Sequence, residues 1–203
     1  MPSAILPGRW TFHLDAHQIH NDAINSNNSD VRAIAPQFTW LSHNQPFKVD
    51  FSYARSNYKN TPAAIHQLSS AFAYGFNNSS DWFQIRSYAI QNLTASGALG
   101  QSRTHATDFK LTHFLKSDLK WVPATVTVGL ERGKKIYLVD MTTQTVYNLP
   151  MLNEGGENIA ASWKLTPNTE LNLQFVKSRY FSELIAAHRF TLSTLSAQVA
   201  TAW

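Results

Sequence analysis

The first residues able to do chemistry are two histidines and an aspartate near the N-terminus. His13, Asp15 and His17 are separated by single residues, and in a β-strand such alternate side chains point to one face. A set of this type can bind a metal ion or assist proton transfer. No further ligand clusters with the three in sequence, so we interpret them as part of a polar face and expect no metal site and no cofactor.

A second set of reactive types falls in or beside the long connections between predicted strands. These residues include the types that form a hydrolytic triad, but nothing in their spacing indicates that they lie close together. Gly155 and Gly156 alone satisfy no nucleotide-binding motif. We therefore expect no enzyme, with a hydrolase sited in the loops as a lesser alternative. The loop residues are His20, Asp22, His66, Ser102 and His105.

Charged residues of both signs recur at positions that alternate with apolar ones. A dry core would have to pair such charges at considerable cost, whereas a wet interior accepts them. We therefore predict that they line the lumen of a barrel. The predicted lining is His13, Asp15, His17, Lys48, Asp50, Arg86, Asp108, Lys110, Glu131 and Lys164.

The elements that must position these residues are β-strands, because apolar and polar residues alternate with a period of two along most of the chain. The clearest alternation starts at Val122, and we expect that strand to run to about Asp140, turn at 142–144 and return through Val146. A slip of phase between Leu192 and Leu195 predicts a β-bulge in the last strand.

Short and long connections alternate between the predicted strands. Short turns rich in turn-forming residues are expected at 42–46, 77–81, 117–120 and 166–169. Longer links are expected at 20–30, 56–67, 92–107 and 181–188, with a hairpin near Met141. This alternation is typical of outer-membrane barrels, whose short turns are periplasmic. The sequence predicts one all-β domain over residues 1–203, an antiparallel up-and-down transmembrane β-barrel of about ten strands with longer outer loops.

All six tryptophans fall at the short-turn ends of the predicted strands. Indole rings favour the membrane–water interface, so we predict that they form a membrane-interface girdle. Tyr53, Tyr58, Tyr88 and Tyr180 are expected to form the opposite girdle. Two of the tryptophans, Trp82 and Trp121, have the parity of the polar face. The predicted girdle is Trp10, Trp40, Trp82, Trp121, Trp163 and Trp203.

The composition excludes several classes of protein. The chain has 203 residues and no cysteine, so it contains no disulfide and no zinc ribbon. Its net charge of +4 comes from scattered basic residues, which does not favour a nucleic-acid partner. The sequence contains no run of 18 apolar residues, which a transmembrane helix would need. Residues 1–8 lack the pattern of a signal peptide, so we expect a mature form or a piece of a longer chain.

Two sequence features resemble the outer-membrane β-barrel families of Gram-negative bacteria. The strand, turn and strand over residues 160–173 is similar to units in porin-like barrels of exopolysaccharide operons. The last residues, Val199 to Trp203, resemble the C-terminal aromatic signal that the barrel-assembly machinery reads. Barrels of this kind also occur as the C-terminal part of secretion proteins with helical repeats, and this chain could be such a part.

The resemblance implies a place in the outer membrane of a Gram-negative bacterium. We expect a porin-like or export-associated channel with a charged polar lumen. Its partners would be the lipid bilayer, the barrel-assembly machinery through the C-terminal strand, and small solutes or polysaccharide. The alternatives are a non-conducting barrel that acts as an anchor, a binding platform or a hydrolase, and a soluble all-β carbohydrate-binding domain.

Overall fold

The protein is described from a computed structural model that covers residues 7–20, 30–59, 63–93, 102–116, 119, 121–140, 145–146, 151–182 and 189–201. Within these residues no helix is long and apolar enough to cross a membrane. The described part is all-β. Its strands are β1 (Gly8–Ile19), β2 (Val31–Ser42), β3 (Phe47–Tyr58), β4 (Ala63–Phe76), β5 (Asp81–Asn92), β6 (Arg103–Phe114), β7 (Thr125–Gly133), β8 (Val139–Asp140), β9 (Thr145–Val146), β10 (Leu152–Thr166), β11 (Thr169–Phe181) and β12 (Arg189–Thr201).

Ten of the strands form one antiparallel sheet in the order β1-β2-β3-β4-β5-β6-β7-β10-β11-β12. Each strand pairs with the strand before and after it along the chain, except that β8 and β9 form a separate two-stranded sheet between β7 and β10. The prediction of an all-β, up-and-down antiparallel sheet of about ten strands is therefore confirmed.

Three short turns lie where the sequence predicts them. Residues 43–46 join β2 to β3, residues 77–80 join β4 to β5, and residues 167–168 join β10 to β11. In the second turn Asn77, Asn78 and Ser79 all have positive φ angles, a conformation that asparagine tolerates better than most residues. The fourth predicted turn, at 117–120, falls largely outside the described residues.

The prediction that one strand runs from Val122 to Asp140 is wrong. β7 ends at Gly133, which has a φ of +103°. The chain then leaves the sheet, and β10 takes the place beside β7. Ile136 and Leu138 continue the apolar alternation of β7 in the sequence, but they lie beyond its end. Both side chains are buried against the polar face of the sheet.

Two smaller predictions also need correction. β12 pairs with β11 over its whole length without a shift of register, so the β-bulge expected near Leu192 is absent. The shifts lie in the pairing of β10 with β11, between Asn153 and Gly156 and between Lys164 and Thr166. The link expected at 56–67 is shorter than predicted, because β3 reaches Tyr58 and β4 begins at Ala63.

Both ends of the sheet order are open edges within the described residues. β1 pairs with β2 only, and β12 pairs with β11 only. Almost every residue of β12 is exposed on both sides of the strand. Each edge therefore presents unpaired backbone N–H and C=O groups, which are a template for pairing with a further strand.

Candidate functional site

One face of the sheet is apolar, and we call it the apolar face. Cross-strand pairing places like beside like: Trp10 stands opposite Trp40 and Phe12 opposite Phe38, with ring centroids 6.1 Å and 5.0 Å apart. Many of its large side chains are exposed, which is unusual for a protein in water alone. They include Phe12, Leu14, Phe38, Phe51, Phe72, Phe83, Leu111, Val128, Ile159, Phe175, Leu195 and Val199.

The opposite face, which we call the polar face, carries the charged residues. Register fixes this assignment, because Asp50 stands beside Thr39 and Ala71, and Arg86 stands beside Ala71 and Asp108. Every residue predicted to line a lumen lies on this face. These residues are His13, Asp15, His17, Lys48, Asp50, Arg86, Asp108, Lys110, Glu131 and Lys164.

A segment of chain leaves β7 and folds onto the polar face. Its first two residues keep backbone hydrogen bonds to the sheet, Lys134 to His105 and Lys135 to Asn153. We call residues 134–140 the infolded segment. Residues 136–139 are all buried, and they form one apolar cluster with side chains of β2 to β6. Four alanines of that wall leave room for the backbone of the segment to approach closely. The wall residues in the cluster are Val31, Ala33, Ala35, Ala54, Tyr58, Ile65, Tyr88, Ile90 and Ala106.

The side chain of Gln67 fastens the infolded segment to β4. Its Nε2 donates to the carbonyl oxygen of Val139 at 2.8 Å, and its Oε1 accepts from the Val139 amide at 3.0 Å. Gln67 is 1% exposed, so both hydrogen bonds are shielded from water. On β3, the hydroxyl of Tyr58 donates to the carbonyl oxygen of Tyr137 at 3.4 Å. The segment is therefore held by directional bonds as well as by apolar contact.

Lys135 connects the infolded segment to the acidic residues of β6 and β7. It is 5% exposed, and its Nζ lies 2.7 Å from Glu131 Oε2 and 3.4 Å from Asp108 Oδ1. The same Nζ lies 4.8 Å from the centre of the Tyr88 ring, which adds a cation–π contact. A buried cation needs such partners to offset its lost hydration. Lys135 is thus a fixed positive charge between two carboxylates.

A second ion cluster lies across β2 to β5. Arg86 Nη2 and Lys48 Nζ each lie 3.2 Å from Asp50 Oδ2, and the Thr39 hydroxyl donates to Asp50 Oδ1 at 2.6 Å. Ala71 stands between Asp50 and Arg86 in the cross-strand row. Its small side chain leaves the space across which the guanidinium reaches the carboxylate. Both clusters belong to one transverse row of the polar face.

A cavity of about 500 Å³ lies on the polar face beside the infolded segment. Charges from β6 and β7 form one side of it, and the amides and hydroxyls of β10 to β12 form the other. The infolded segment and β12 add apolar side chains to the lining, among them Tyr137, Leu138 and Leu192, so the cavity offers both polar and apolar contacts. The polar lining includes Asp108, Lys110, Glu131, Lys135, Asn158, Gln174, Ser178 and Thr194.

The tryptophans are divided between the two faces. Trp10, Trp40 and Trp163 lie on the apolar face near the short turns. Trp82 lies on the polar face, as its parity predicts, and its ring covers Gly75. It therefore does not share the apolar face with Trp10, Trp40 and Trp163. Trp121 precedes β7 and is 76% exposed, and its carbonyl oxygen accepts a hydrogen bond from Trp163 Nε1 at 3.1 Å. Trp203 lies outside the described residues.

The predicted tyrosine girdle is also corrected. Tyr53 lies on the apolar face, where its hydroxyl is 2.8 Å from His66 Nδ1. Tyr58, Tyr88 and Tyr180 have the opposite orientation and lie on the polar face. Sequence reasoning missed that Tyr58 and Tyr88, with Gln67, hold the infolded segment. Their parity within the strands was the available signal, since Tyr58 is in phase with Ser52 and Ser56, and Tyr88 is in phase with Gln84 and Arg86.

The histidine and aspartate residues do not assemble a metal or hydrolytic centre in the part of the chain that is described. His13 Nε2 lies 2.7 Å from Asp15 Oδ1, and no group of three His, Asp or Glu residues suits a metal ion there. In the loop set, His20 contacts Asp30 at 3.2 Å, and His66 lies on the apolar face with Tyr53. Ser102 and His105 are exposed, and Asp22 falls outside the described residues.

Comparison with known proteins finds no significant match, neither to a family model, nor to a curated protein, nor to a solved structure. The two faces of the sheet, the infolded segment and the cavity therefore carry the functional argument.

Proposed function

We propose that the sheet closes into a barrel in the outer membrane of a Gram-negative bacterium and acts as a porin-like or export-associated channel. The observation that carries the proposal is the contrast between the two faces. One face exposes large apolar side chains, including Phe12 at 57% and Leu195 at 77%, while the other holds the charged residues and a cavity that they partly line. Lipid suits the first face and water suits the second.

The lengths and edges of the strands support a membrane location. The sheet strands are 9 to 15 residues long, and a tilted transmembrane strand needs about 9–11. In lipid, the unpaired groups at the edges of β1 and β12 would each cost several kcal/mol, which favours closure. In an antiparallel sheet with an even number of strands the two edge strands run in opposite directions. β1 and β12 can therefore pair with each other and close the sheet as an antiparallel barrel.

The infolded segment would narrow the passage. It covers the polar face of β2 to β6, and the cavity that remains lies against β6 to β12. Solutes would pass along this cavity, between the carboxylates of Asp108 and Glu131 and the amides of Asn158 and Gln174. The channel proposed here would therefore pass only small solutes.

The same segment also favours a second function, a non-conducting barrel that anchors its outer loops. A segment that occupies part of the interior of a ten-stranded barrel leaves little room, since about eight strands already leave an interior that side chains fill. Conductance separates the two functions. Insertion with single-channel currents in a planar bilayer supports the channel, whereas full insertion with no current supports the anchor.

Membrane insertion itself is tested by two neighbouring residues of β12. Leu195 lies on the apolar face and Ser196 on the polar face, and both are exposed. We expect Leu195→Lys to impair insertion into lipid vesicles, because a lysine in the apolar band costs about 2–4 kcal/mol at the bilayer midplane. Ser196→Lys is the matched control and should insert as the unchanged protein does.

Insertion is measured as heat-modifiable migration on a gel with and without boiling. Equal tolerance of both lysines in a protein that stays in aqueous solution would overturn the membrane location and favour the soluble carbohydrate-binding domain.

A further inference from the structure

The apolar face changes its chemistry at the strand ends opposite the short turns. There the large apolar side chains give way to exposed basic ones, which we call the basic belt. All of them belong to the strands of the main sheet and share the parity of the apolar residues on the same strand. The belt consists of Arg32, Arg55, Arg103, Arg132, Lys177, Arg179 and Arg189.

Cross-strand register confirms that the belt follows the apolar face. Arg55 stands opposite Ile34 on one side and His66 on the other. Further along the sheet, Arg132 stands opposite Thr107, two residues from the apolar pair Phe109 and Leu130. The positive charges therefore border the apolar band directly instead of facing the cavity.

Within the described residues, acidic residues pair with two of the seven members of the belt. Lys177 lies 3.8 Å from Glu157, and Arg189 lies 3.1 Å from Glu154. Arg32, Arg55, Arg103, Arg132 and Arg179 form no ion pair with any residue that the structure describes. On the polar face, by contrast, Arg86 and Lys135 both have carboxylate partners. Arg86 and Lys135 are thus paired with carboxylates on the polar face, whereas five of the seven basic residues of the belt are not paired within the described part of the chain.

We propose that the basic belt binds the phosphate groups of anionic membrane lipids in the leaflet at this end of the strands. Apolar side chains beside the belt would pack against acyl chains, and guanidinium groups match phosphate with two parallel hydrogen bonds. Several arginines spread around the wall suit a headgroup with more than one phosphate. The inference rests on the proposed membrane location but not on conduction.

The test compares two double variants of the full chain folded in detergent micelles. Arg55→Gln with Arg103→Gln removes two charges of the belt. Arg9→Gln with Lys116→Gln removes two exposed charges near the short-turn end and serves as the control. The probes are a glycolipid with two phosphates, phosphatidylcholine and inorganic phosphate. Lipid that stays bound after detergent exchange is measured by native mass spectrometry.

We expect the unchanged protein and the control to retain the phosphorylated glycolipid in preference to phosphatidylcholine. The belt variant should lose affinity by about fivefold for each charge removed. Equal retention by the belt variant and the control would overturn the proposal. So would equal retention of both lipids by the unchanged protein, an outcome that needs no variant. Displacement of the glycolipid by millimolar inorganic phosphate would identify a site for free phosphate instead.

Failure of the underlying membrane proposal has a different signature. In that case the unchanged protein shows no heat-modifiable insertion into vesicles of any composition. A protein that inserts but shows no preference for the phosphorylated glycolipid overturns only the assignment of the basic belt.

Discussion

Gln67 shows how a single side chain can decide where a segment of chain lies. Its amide satisfies both the N–H and the C=O of Val139, two backbone groups that are buried away from water. Backbone groups without a partner are costly in such a place, so an infolded segment needs a wall residue with one donor and one acceptor. Glutamine supplies both, and the two hydrogen bonds fix the position of the segment along β4.

We expect Gln67→Met to loosen the infolded segment. Methionine has a similar volume but removes both hydrogen bonds, and the unpaired groups of Val139 should cost about 1–3 kcal/mol. Proteolysis within residues 134–140 should become faster, and the conductance of the channel should rise. Gln84→Met is the control, because Gln84 lies on the same face and is half-buried. Proteolysis of both variants at the rate of the unchanged protein would contradict the expected role of Gln67.

Lys135 is the residue whose charge should govern ion selectivity. Lys135→Met leaves the carboxylates of Asp108 and Glu131 beside the cavity without their cation. We therefore expect the reversal potential in a potassium chloride gradient to shift towards cation selectivity. Lys116→Met removes an exposed lysine beyond β6 and should leave the reversal potential unchanged. A shift of the same size in both variants would mean that surface charge, not this cluster, sets selectivity.

Among the strands, β7 ends at a glycine that the local backbone requires. The φ of Gly133 is +103°, which favours glycine, and a Cβ there would clash with the carbonyl oxygen of His105. The next amide, that of Lys134, donates to the same carbonyl oxygen at 2.7 Å before the infolded segment crosses the polar face. Gly133 thus allows the close approach to β6 at the point where the chain leaves β7.

Gly133→Ala should destabilise the folded protein by about 1–3 kcal/mol, because alanine cannot adopt this backbone conformation without strain. Gly129→Ala is the matched substitution within β7. A Cβ at Gly129 would meet only the side chain of Asn158, which can move. The urea midpoint of unfolding from lipid vesicles should fall clearly more for Gly133→Ala than for Gly129→Ala. Equal midpoints would show that the exit from β7 does not depend on glycine.

At the scale of the whole molecule, the two open edges raise the question of what closes the sheet. β1 and β12 have opposite directions and like faces, with His17 and Gln198 both on the polar face. Closure of one chain on itself and closure between two copies use the same edges. Introduced cysteines can distinguish the two kinds of closure, because the chain has no cysteine of its own and any disulfide must join introduced residues.

We expect a cysteine at His17 to form a disulfide with a cysteine at Ser196, Gln198 or Ala200 within a single chain, if the barrel closes on itself. Non-reducing electrophoresis of the inserted protein would then show a faster-migrating monomer. A cysteine pair between His17 and Gln67 is the control, because these residues lie on non-adjacent strands. A disulfide-linked dimer from the first pairs would instead assign a larger barrel built from two chains.

Local sequence patterns predict most of the strands, their antiparallel neighbours and their two faces. Alternation with a period of two is a local property, so it places neighbouring residues on different faces of the sheet. Asp50 and Phe51, for example, lie on the polar and the apolar face, as do Asp108 and Phe109. Short turns rich in asparagine, proline and serine then imply antiparallel neighbours. The composition of each strand carried this information without any long-range contact.

The position of residues 134–140, and the residues that meet there, depend on contacts between distant parts of the chain. Ile136 and Leu138 continue the alternation of β7 in the sequence, yet residues 136–139 are all buried in the structure, so the alternation did not reveal that this segment leaves the strand. The contacts of Gln67 with Val139 and of Lys135 with Tyr88 join residues far apart in sequence, and no local pattern specifies them. Parity says which face a residue occupies, whereas the fold of the whole chain decides what covers that face.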